Sequence, residues 1–404
     1  MIYLTYLQLK EEIIDNDLCT SCGACVAVCP ANIIQLNKNS IPNVYLDSKS
    51  LSEVCGSCNL CRDICPGKET DVPASELSLF GRTRTSTERW TGIINETNLV
   101  SVVDPNVRNH ATAGGAVTGL LITALRSGLI DAALVIDRDK EKPWIPQAIL
   151  TNDEETIIKC AQSTYCIAPN LHLLNDTRYE SVGVVGLACE IQAIRKMQRN
   201  PETEALGKKI VFSIEIGCSS NTKLSGTEHL ITDILNIPLD EVSDVRYRDG
   251  DYPGEFTVYT KNNESNSLPF FELVEEFKKF KTFRCLSCRD WWSGVADISV
   301  SDGDPNIYAS SQYGILPSRF SMVATRTEIG QRLLELGILM GILVAEPTKF
   351  DPEESLGLQR KRFRSASYKR KYPNGVPDSS VLFNDNDGER EDDEVIAKMS
   401  NRIT

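Results

Sequence analysis

Two cysteine runs near the start of the chain restrict its fold more than any other feature of the sequence. The pattern C-x2-C-x2-C-x3-C-P spans residues 19–30 and recurs over residues 55–66. Such runs hold cubane iron–sulfur clusters in two-cluster ferredoxins, where the fourth cysteine of each run ligates the other cluster. The spacing therefore predicts one 4Fe–4S cluster on Cys19, Cys22, Cys25 and Cys65, and a second on Cys55, Cys58, Cys61 and Cys29.

Structural zinc is the alternative interpretation of these eight cysteines. Zinc sites usually combine two cysteine pairs separated by a spacer, whereas each run here has three cysteines at x2 spacing followed by Cys-Pro. Disulfide frameworks belong to small secreted domains, and a chain of 404 residues with 14 cysteines is not small. The spacing therefore favours iron–sulfur ligation.

Composition and charge exclude other classes of protein. The net charge of −13 argues against nucleic acid as a partner, because binding phosphate chains needs surplus lysine and arginine. The carboxylates within residues 11–17 oppose a signal peptide at the N-terminus. No apolar run approaches the roughly 18–20 residues that span a bilayer. We therefore expect a soluble, cytoplasmic protein with no membrane span.

Hydrophobic patterning divides the chain into regions. Runs of buried-strand type lie at 99–104, 131–137, 181–188 and 209–217, a helical pattern lies at 114–128, and a helix leading into a strand lies at 331–347. Strands alternating with helices predict a mixed α/β fold in which helices cover a sheet. The predicted regions are a ferredoxin-like module (1–70), a surface linker (71–98), an α/β domain (99–350), and a basic segment with an acidic, disordered tail (351–404).

Six further cysteines lie in the α/β region. Cys189 and Cys218 each follow a predicted strand, at the end of the strand where ligand sites gather in α/β sheets. Together with the C-x2-C pair Cys285 and Cys288, they supply the four ligands of a third 4Fe–4S cluster. Structural zinc and buried free cysteines are the alternatives. For Cys160 and Cys166, which have no ligand spacing, we expect a role as small buried hydrophobic residues.

Short patterns along residues 95–365 occur in the order of a known family. They include a Gly-Gly pair that opens a helix, a Ser-x-Tyr segment and a cysteine at a strand-to-helix turn. The segments are 112–121, 162–169, 186–196, 215–222, 247–256, 284–302 and 324–335. Together they resemble the beta subunits of coenzyme F420 hydrogenases and dehydrogenases. The resemblance implies a domain that binds FAD, with a 4Fe–4S cluster near it and the deazaflavin coenzyme F420 as hydride partner.

The resemblance also implies site residues. It assigns Cys189, Cys218, Cys285 and Cys288 to the cluster, and Ser163 and Tyr165 to the flavin site. Gly114 and Gly115 open the predicted helix, whose N–H groups and positive dipole end suit a diphosphate. Thr112 and Thr118 add hydroxyl donors there. The alternatives are close packing of a helix start for the glycines and core packing for the tyrosine.

The expected function is a switch between two-electron and one-electron transfer. A reduced hydride carrier, coenzyme F420, exchanges hydride with FAD, and electrons pass singly through the clusters to a redox partner protein or complex subunit. A related reductase of another organic substrate and a non-catalytic electron-transfer subunit are the alternatives. A basic run such as residues 359–371 usually forms a solvated face or a strap against an acidic body. The more specific interpretation is a docking surface.

Overall fold

The computed structural model describes residues 5–56, 58–251, 253–301, 319–352 and 355–371, together with residue 397. The α-helices of this part of the chain are α1 Thr5–Leu9, α2 Ala24–Ala27, α3 Ser48–Cys55, α4 Leu60–Asp63, α5 Val72–Phe80, α6 Pro105–His110, α7 Ala116–Arg126, α8 Glu154–Lys159, α9 Ala188–Arg199, α10 Glu204–Lys208, α11 Leu224–His229, α12 Phe270–Phe277, α13 Phe283–Ser287, α14 Glu328–Leu339 and α15 Leu356–Lys371. Short π-helices span Lys10–Ile14 and Leu230–Ile234, and 3-10 turns span Ser86–Glu88, Leu171–Asn175, Leu239–Glu241 and Lys278–Phe280.

The strands of the described residues form three sheets. They are β1 Gln35–Leu36, β2 Pro42–Asn43, β3 Glu96–Val102, β4 Ala132–Arg138, β5 Pro146–Thr151, β6 Val182–Leu187, β7 Ile210–Ile216, β8 Val242–Asp249, β9 Glu255–Thr260, β10 Ser265–Pro269, β11 Ile298–Ser301, β12 Ser321–Thr325 and β13 Leu343–Pro347. β1 and β2 form a hairpin, β8 to β10 form a three-stranded antiparallel sheet, and eight strands form the central sheet.

The central sheet has the order β13-β3-β12-β11-β7-β6-β4-β5. β4, β6, β7 and β11 are parallel neighbours, and β3 runs in the same direction because it is separated from β11 by the antiparallel β12. The carboxyl ends of these five strands therefore meet at one edge, which we call the carboxyl edge. The predicted mixed α/β fold with a helix-covered sheet is confirmed.

The side-chain alternation of β4 shows how the sheet is covered. Ala132 and Leu134 point into a core that contains α9, whereas Ala133 and Val135 point into a core that contains α7 and α14. The period of two is the geometry of a strand buried on both faces. Helices therefore cover both sides of the sheet, and the apolar β-branched runs of the sequence are its central strands.

The N-terminal module packs directly on this sheet. Val28, Leu60 and Ile64 of the module share one hydrophobic core with Leu134 of β4 and Ile191 of α9. The module is thus part of the same packed body as the α/β region rather than a tethered unit.

The residues predicted as a surface linker, 71–98, are more ordered than expected. They contain helix α5 and the first residues of β3. Glu76 of α5 is fully buried and pairs with Arg84, whose Nη2 donates to the Ser293 carbonyl at 2.7 Å. Part of the polar composition that suggested a linker reflects the buried ion pair of Glu76 with Arg84, so this prediction is wrong for α5.

The basic run also differs from a solvated strap. The run lies in helix α15, and three of its residues are buried in the folded protein, namely Lys361, Arg362 and Ser365. The acidic tail that we predicted at the C-terminus lies outside the described residues. In the part of the chain that the structure describes, no helix is both long and apolar enough to cross a membrane.

Gly114 allows a test of the packing around the start of α7, with Gly128 beyond the end of that helix as the control. A Cβ on Gly114 would contact the Val100 carbonyl oxygen and lie 2.6 Å from both Phe320 Cα and Ser321 N, whereas Gly128 has φ +70° and open space around it. We expect Gly114→Ala to cost about 3 kcal/mol or more, since backbone atoms must move. Gly128→Ala should cost only about 1–2 kcal/mol of left-handed strain. Equal losses of thermal stability in the two variants would contradict this packing.

Candidate functional site

The two ferredoxin runs bring their cysteines together in the predicted exchanged sets. Burial raises the pKa of Cys19 to about 11, and the nearby Cys65 adds to the shift. Burial likewise raises the pKa of Cys61 to about 12, with further contributions from Cys55, Cys58 and Cys29. Cys65 therefore lies with the first run and Cys29 with the second.

The first set lies against the α/β region. The amide of Leu171 donates to the Cys22 carbonyl at 3.0 Å. Gly23 has φ +83°, and a Cβ there would lie 2.9 Å from the backbone nitrogen of His172. The ligand loop of the first set is therefore packed on the turn that precedes β6.

The third set of cysteines gathers at the carboxyl edge. Cys189 lies in the first turn of α9, directly after β6, and Cys218 follows β7. Cys285 lies in α13 and Cys288 immediately after it. Burial raises the pKa of Cys218 to about 11, and Cys285 and Cys288 add to this shift. The pKa of Cys189 is raised well above its usual value by burial first, and also by Cys218 and Cys285.

Buried carboxylates on β7 and before β11 hold the segment that carries Cys288. Glu215 accepts hydrogen bonds from the amide and hydroxyl of Ser293, at 2.7 and 2.6 Å. Asp297 accepts from Ser213 of β7 at 2.8 Å and from Arg195 of α9 at 2.9 Å. Both acids are buried and satisfied, so they fix an irregular segment on the sheet.

Side chains just outside the third set complete its surroundings. Gln192 of α9 donates to the Asp290 carboxylate at 3.0 Å, and burial raises the pKa of Asp290. The cations Lys361 and Arg364 of α15 donate to backbone carbonyls of the cysteine loops. Sequence reasoning missed all four residues, and for the two cations the available signal was the basic run itself.

Helix α9 joins the third set to the first. Cys189 at its start lies near enough to Cys22 for the charge of Cys22 to raise its pKa. Near the end of the helix, the amine of Lys196 donates to the carbonyls of Cys65 and Glu69, at 3.3 and 2.8 Å. Arg284, next to Cys285, donates to the Pro66 carbonyl at 3.4 Å. The two cysteine sets are therefore neighbours.

The chemistry of the third set fits an iron–sulfur cluster, since four partly buried cysteines converge beside fixed cations. Within the described residues, no group of three or more His, Cys, Asp or Glu side chains is arranged to hold a single metal ion. A single zinc ion would need its four sulfur ligands about 3.8 Å apart. A cubane of four irons and four sulfides needs a wider spacing.

Thr112 and Ser163, from the predicted flavin site, are in contact. Their hydroxyl oxygens are 3.0 Å apart, and the Ser163 amide donates to Thr112 Oγ1 at 3.0 Å. Beside them, Gln162 donates to the His110 carbonyl. Its Oε1 is buried without a hydrogen-bond partner in the described structure, which fits a polar ligand that donates to it. Gln162 was not singled out from the sequence.

The Gly-Gly pair has a packing role. The Gly114 amide donates to Ser321 Oγ at 3.2 Å, and its carbonyl accepts from Val102 N at 2.8 Å. Gly115, with φ +75°, is the N-cap of α7, and Thr118 is buried within that helix. The close-packing alternative therefore describes Gly114, and the N–H groups after Gly115 are the ones that remain for a ligand.

Tyr165 belongs to an aromatic core instead of lying beside Thr112. Its ring packs edge-on against Tyr247 and Phe277, and its carbonyl accepts from the Thr222 amide at 3.0 Å. This matches the core-packing alternative. The neighbouring Cys166 is buried as predicted, whereas Cys160 is only half-buried.

Three regions of the chain match models of known protein families. Residues 99–175 and 179–350 match the N-terminal and C-terminal models described as coenzyme F420 hydrogenase/dehydrogenase, beta subunit, and together these cover more than half of the chain. The chain belongs to this family. It is therefore an oxidoreductase of the beta-subunit type. Residues 18–69 match a 4Fe–4S dicluster domain, so the N-terminal module is of that kind. Helix α15 lies beyond the matched residues.

Named relatives agree with the family. The chain is 26% identical to an F(420)H(2) dehydrogenase subunit of Methanosarcina mazei, over 80% of this chain and 84% of that protein. It is 28% identical to the beta subunit of the coenzyme F420 hydrogenase of Methanosarcina barkeri, over 64% of this chain and 83% of that protein. A solved structure of the F420-reducing [NiFe] hydrogenase complex from Methanosarcina barkeri contains a chain with TM-score 0.55 and 25% identity, covering 70% of this chain and 92% of that one.

The contact between the first and third sets can be tested through Lys196. Lys196→Met leaves the Cys65 and Glu69 carbonyls without their charged donor, so we expect about 1.5–3 kcal/mol less local stability. Hydrogen exchange of residues 65–70 should speed up accordingly. Lys208→Met is the matched control, because the Lys208 amine is exposed and pairs only with Glu204 among the described residues. Unchanged exchange in the Lys196 variant would contradict the contact.

Proposed function

We propose that this chain is an iron–sulfur flavoprotein that transfers hydride between coenzyme F420 and FAD and passes electrons singly through three 4Fe–4S clusters. One observation carries the proposal: the three cysteine sets are neighbours in the structure. The third set lies at the carboxyl edge, where the Thr112–Ser163 pair also lies. Its relatives, named as subunits of F420 hydrogenase and F(420)H(2) dehydrogenase, support F420 as the hydride carrier.

The flavin site is proposed at the carboxyl edge, between the loop before α7 and the segment around Ser163. When bound, FAD exchanges hydride as an electron pair, and the clusters carry electrons one at a time. Thr112 and Ser163 orient each other by their hydrogen bonds, and the adjacent Gln162 has a buried acceptor oxygen with no hydrogen-bond partner in the described structure. The described side chains therefore bind and orient the cofactor.

The order of the cysteine sets supports one route for electrons. Cys189 of the third set is near Cys22 of the first set, and Cys25 of the first set is near Cys61 of the second. The first set lies between the other two, because its ligand loop packs on the α/β region through the Cys22 carbonyl and Gly23. The proposed route runs from the flavin through the third and first sets to the second set. The second set is then the contact with a partner protein or complex subunit.

Metal analysis tests the three-cluster proposal. Anaerobically purified chain should contain about twelve irons and as many sulfides, with little zinc. Cys189→Ala should lower the iron to about eight and remove one set of signals from the electron paramagnetic resonance spectrum of the reduced protein. Cys160→Ala is the control, because that cysteine belongs to none of the three sets, and it should keep about twelve. Eight irons in the unmodified chain, or zinc in the third set, would reject the third cluster.

Anaerobic turnover tests the hydride partner. Reduced F420 with an artificial one-electron acceptor should be oxidised by the flavin-loaded chain, and Thr112→Val should lower the bound FAD several-fold because a positioning hydroxyl is lost. Thr83→Val, at an exposed residue, should change neither FAD content nor turnover. Bound FAD without F420 turnover would favour a reductase of another organic substrate. Absence of bound flavin would leave a non-catalytic electron-transfer subunit.

A further inference from the structure

Helix α15 is held against the third cysteine set by one face. Lys361, Arg364 and Ser365 lie at positions i, i+3 and i+4, which places them side by side on a helix. Lys361 Nζ donates to the Cys218 carbonyl at 2.7 Å, and Ser365 Oγ donates to the Ser287 carbonyl at 2.7 Å. Arg364 donates to the carbonyls of Ser219 and, at 3.3 Å, Cys285. Three side chains thus bond to both loops that carry Cys218, Cys285 and Cys288.

The docking of α15 is supported by apolar contacts as well. Leu358 is fully buried in a core with Trp291 and Trp292. A Cβ on Gly357 would contact the ring of Trp291, so the start of the helix lies directly on that side chain. Phe283, at the start of α13, packs edge-on against Tyr368. The helix is therefore part of the wall of the site.

The burial of Lys361 needs a negative partner. Its side chain is 2% exposed, and an ammonium group without a counter-charge is costly in such a position. Its Nζ donates to the Cys218 carbonyl at 2.7 Å, so the ammonium group lies beside the third set of cysteines. Arg364 and Lys281 add positive charge on the same side, and Asp290 is the buried acid opposite them. An anionic cluster held by the cysteines of the third set would compensate the charge of these cations.

We propose that Lys361, assisted by Arg364 and Ser365, is a positioning residue that clamps the two cysteine loops of the third cluster and raises its reduction potential. This rests on the third cluster of the proposed function. Reduction adds one electron, and so one unit of negative charge, to the cluster, while no bond forms or breaks. A fixed cation beside the cluster favours the more negative, reduced form. The helix thereby makes the third cluster a better acceptor of electrons from the flavin.

Potentiometric titration with dithionite, followed by electron paramagnetic resonance, tests the role of Lys361. In Lys361→Met we expect one of three midpoint potentials to become more negative, with at least a tenfold lower ratio of reduced to oxidised cluster at a fixed potential, about 59 mV. The other two potentials should stay unchanged. Lys361→Arg, which keeps the charge, should hold this potential close to its value in the unmodified chain. Arg360→Met removes an exposed cation from the same helix and should shift none.

The outcomes separate this proposal from the one on which it rests. Twelve irons in the unmodified chain with no shifted potential in Lys361→Met would overturn the role of Lys361 and leave the third cluster intact. Eight irons in the unmodified chain would overturn both. Loss of about four irons in Lys361→Met, restored in Lys361→Arg, would support the clamp through cluster retention. The same loss in both variants would reject a role for the charge.

Discussion

The arrangement of the whole molecule depends on the burial of helix α9 between the central sheet and the N-terminal module. Ile191, Ile194 and Met197 of this helix are fully buried in the core that both parts share. Its first turn carries Cys189. Near its end, Lys196 donates to the Cys65 and Glu69 carbonyls of the module, and Arg199 pairs with Asp71. Since a helix is stiff, its burial fixes the separation of the first and third cysteine sets. A flexible tether could not fix that separation.

Charge is the second constraint on this site. Four cysteines gathered at one partly buried site can all carry thiolate charge only where cations compensate it, and the chain supplies cations from distant segments. Lys361 and Arg364 come from the C-terminal helix, and Arg284 comes from the cysteine loop itself. The buried acids Glu215 and Asp297 bind the backbone and neighbouring cations, and so they hold the irregular segment 288–297 in place. Positive and negative groups thus have separate tasks: the cations face the cysteines, and the acids anchor the loops.

Sequence patterns predicted the regular elements well where one physical rule dominated. The β-branched runs became β3, β4, β6 and β7 because such runs are stable when buried on both faces. The helix predicted over residues 114–128 is α7, Ala116–Arg126, and the predicted stop residue Gly128 follows it in the left-handed conformation. Predictions failed where composition had two explanations. Polar residues 71–98 suggested a linker, but Glu76 and Arg84 form a buried pair. For the Gly-Gly pair, the structure shows close backbone packing at Gly114, and the phosphate site at the N–H groups after Gly115 stays a prediction.

The sequence by itself predicted the cysteine chemistry, because each C-x2-C-x2-C-x3-C-P run supplies three ligands by local spacing and a fourth cysteine for the other cluster. It also indicated Cys189 and Cys218 as strand-end residues, since parallel strands bring their carboxyl ends to one edge. Only the tertiary structure decided what surrounds them. Gln162, Gln192, Asp290 and Lys361 lie far from one another along the chain or carry no motif, and their positions follow from packing and hydrogen bonds between segments. The physical reason is that ligand spacing is a local property of the backbone, whereas burial and compensating charge are properties of the assembled core.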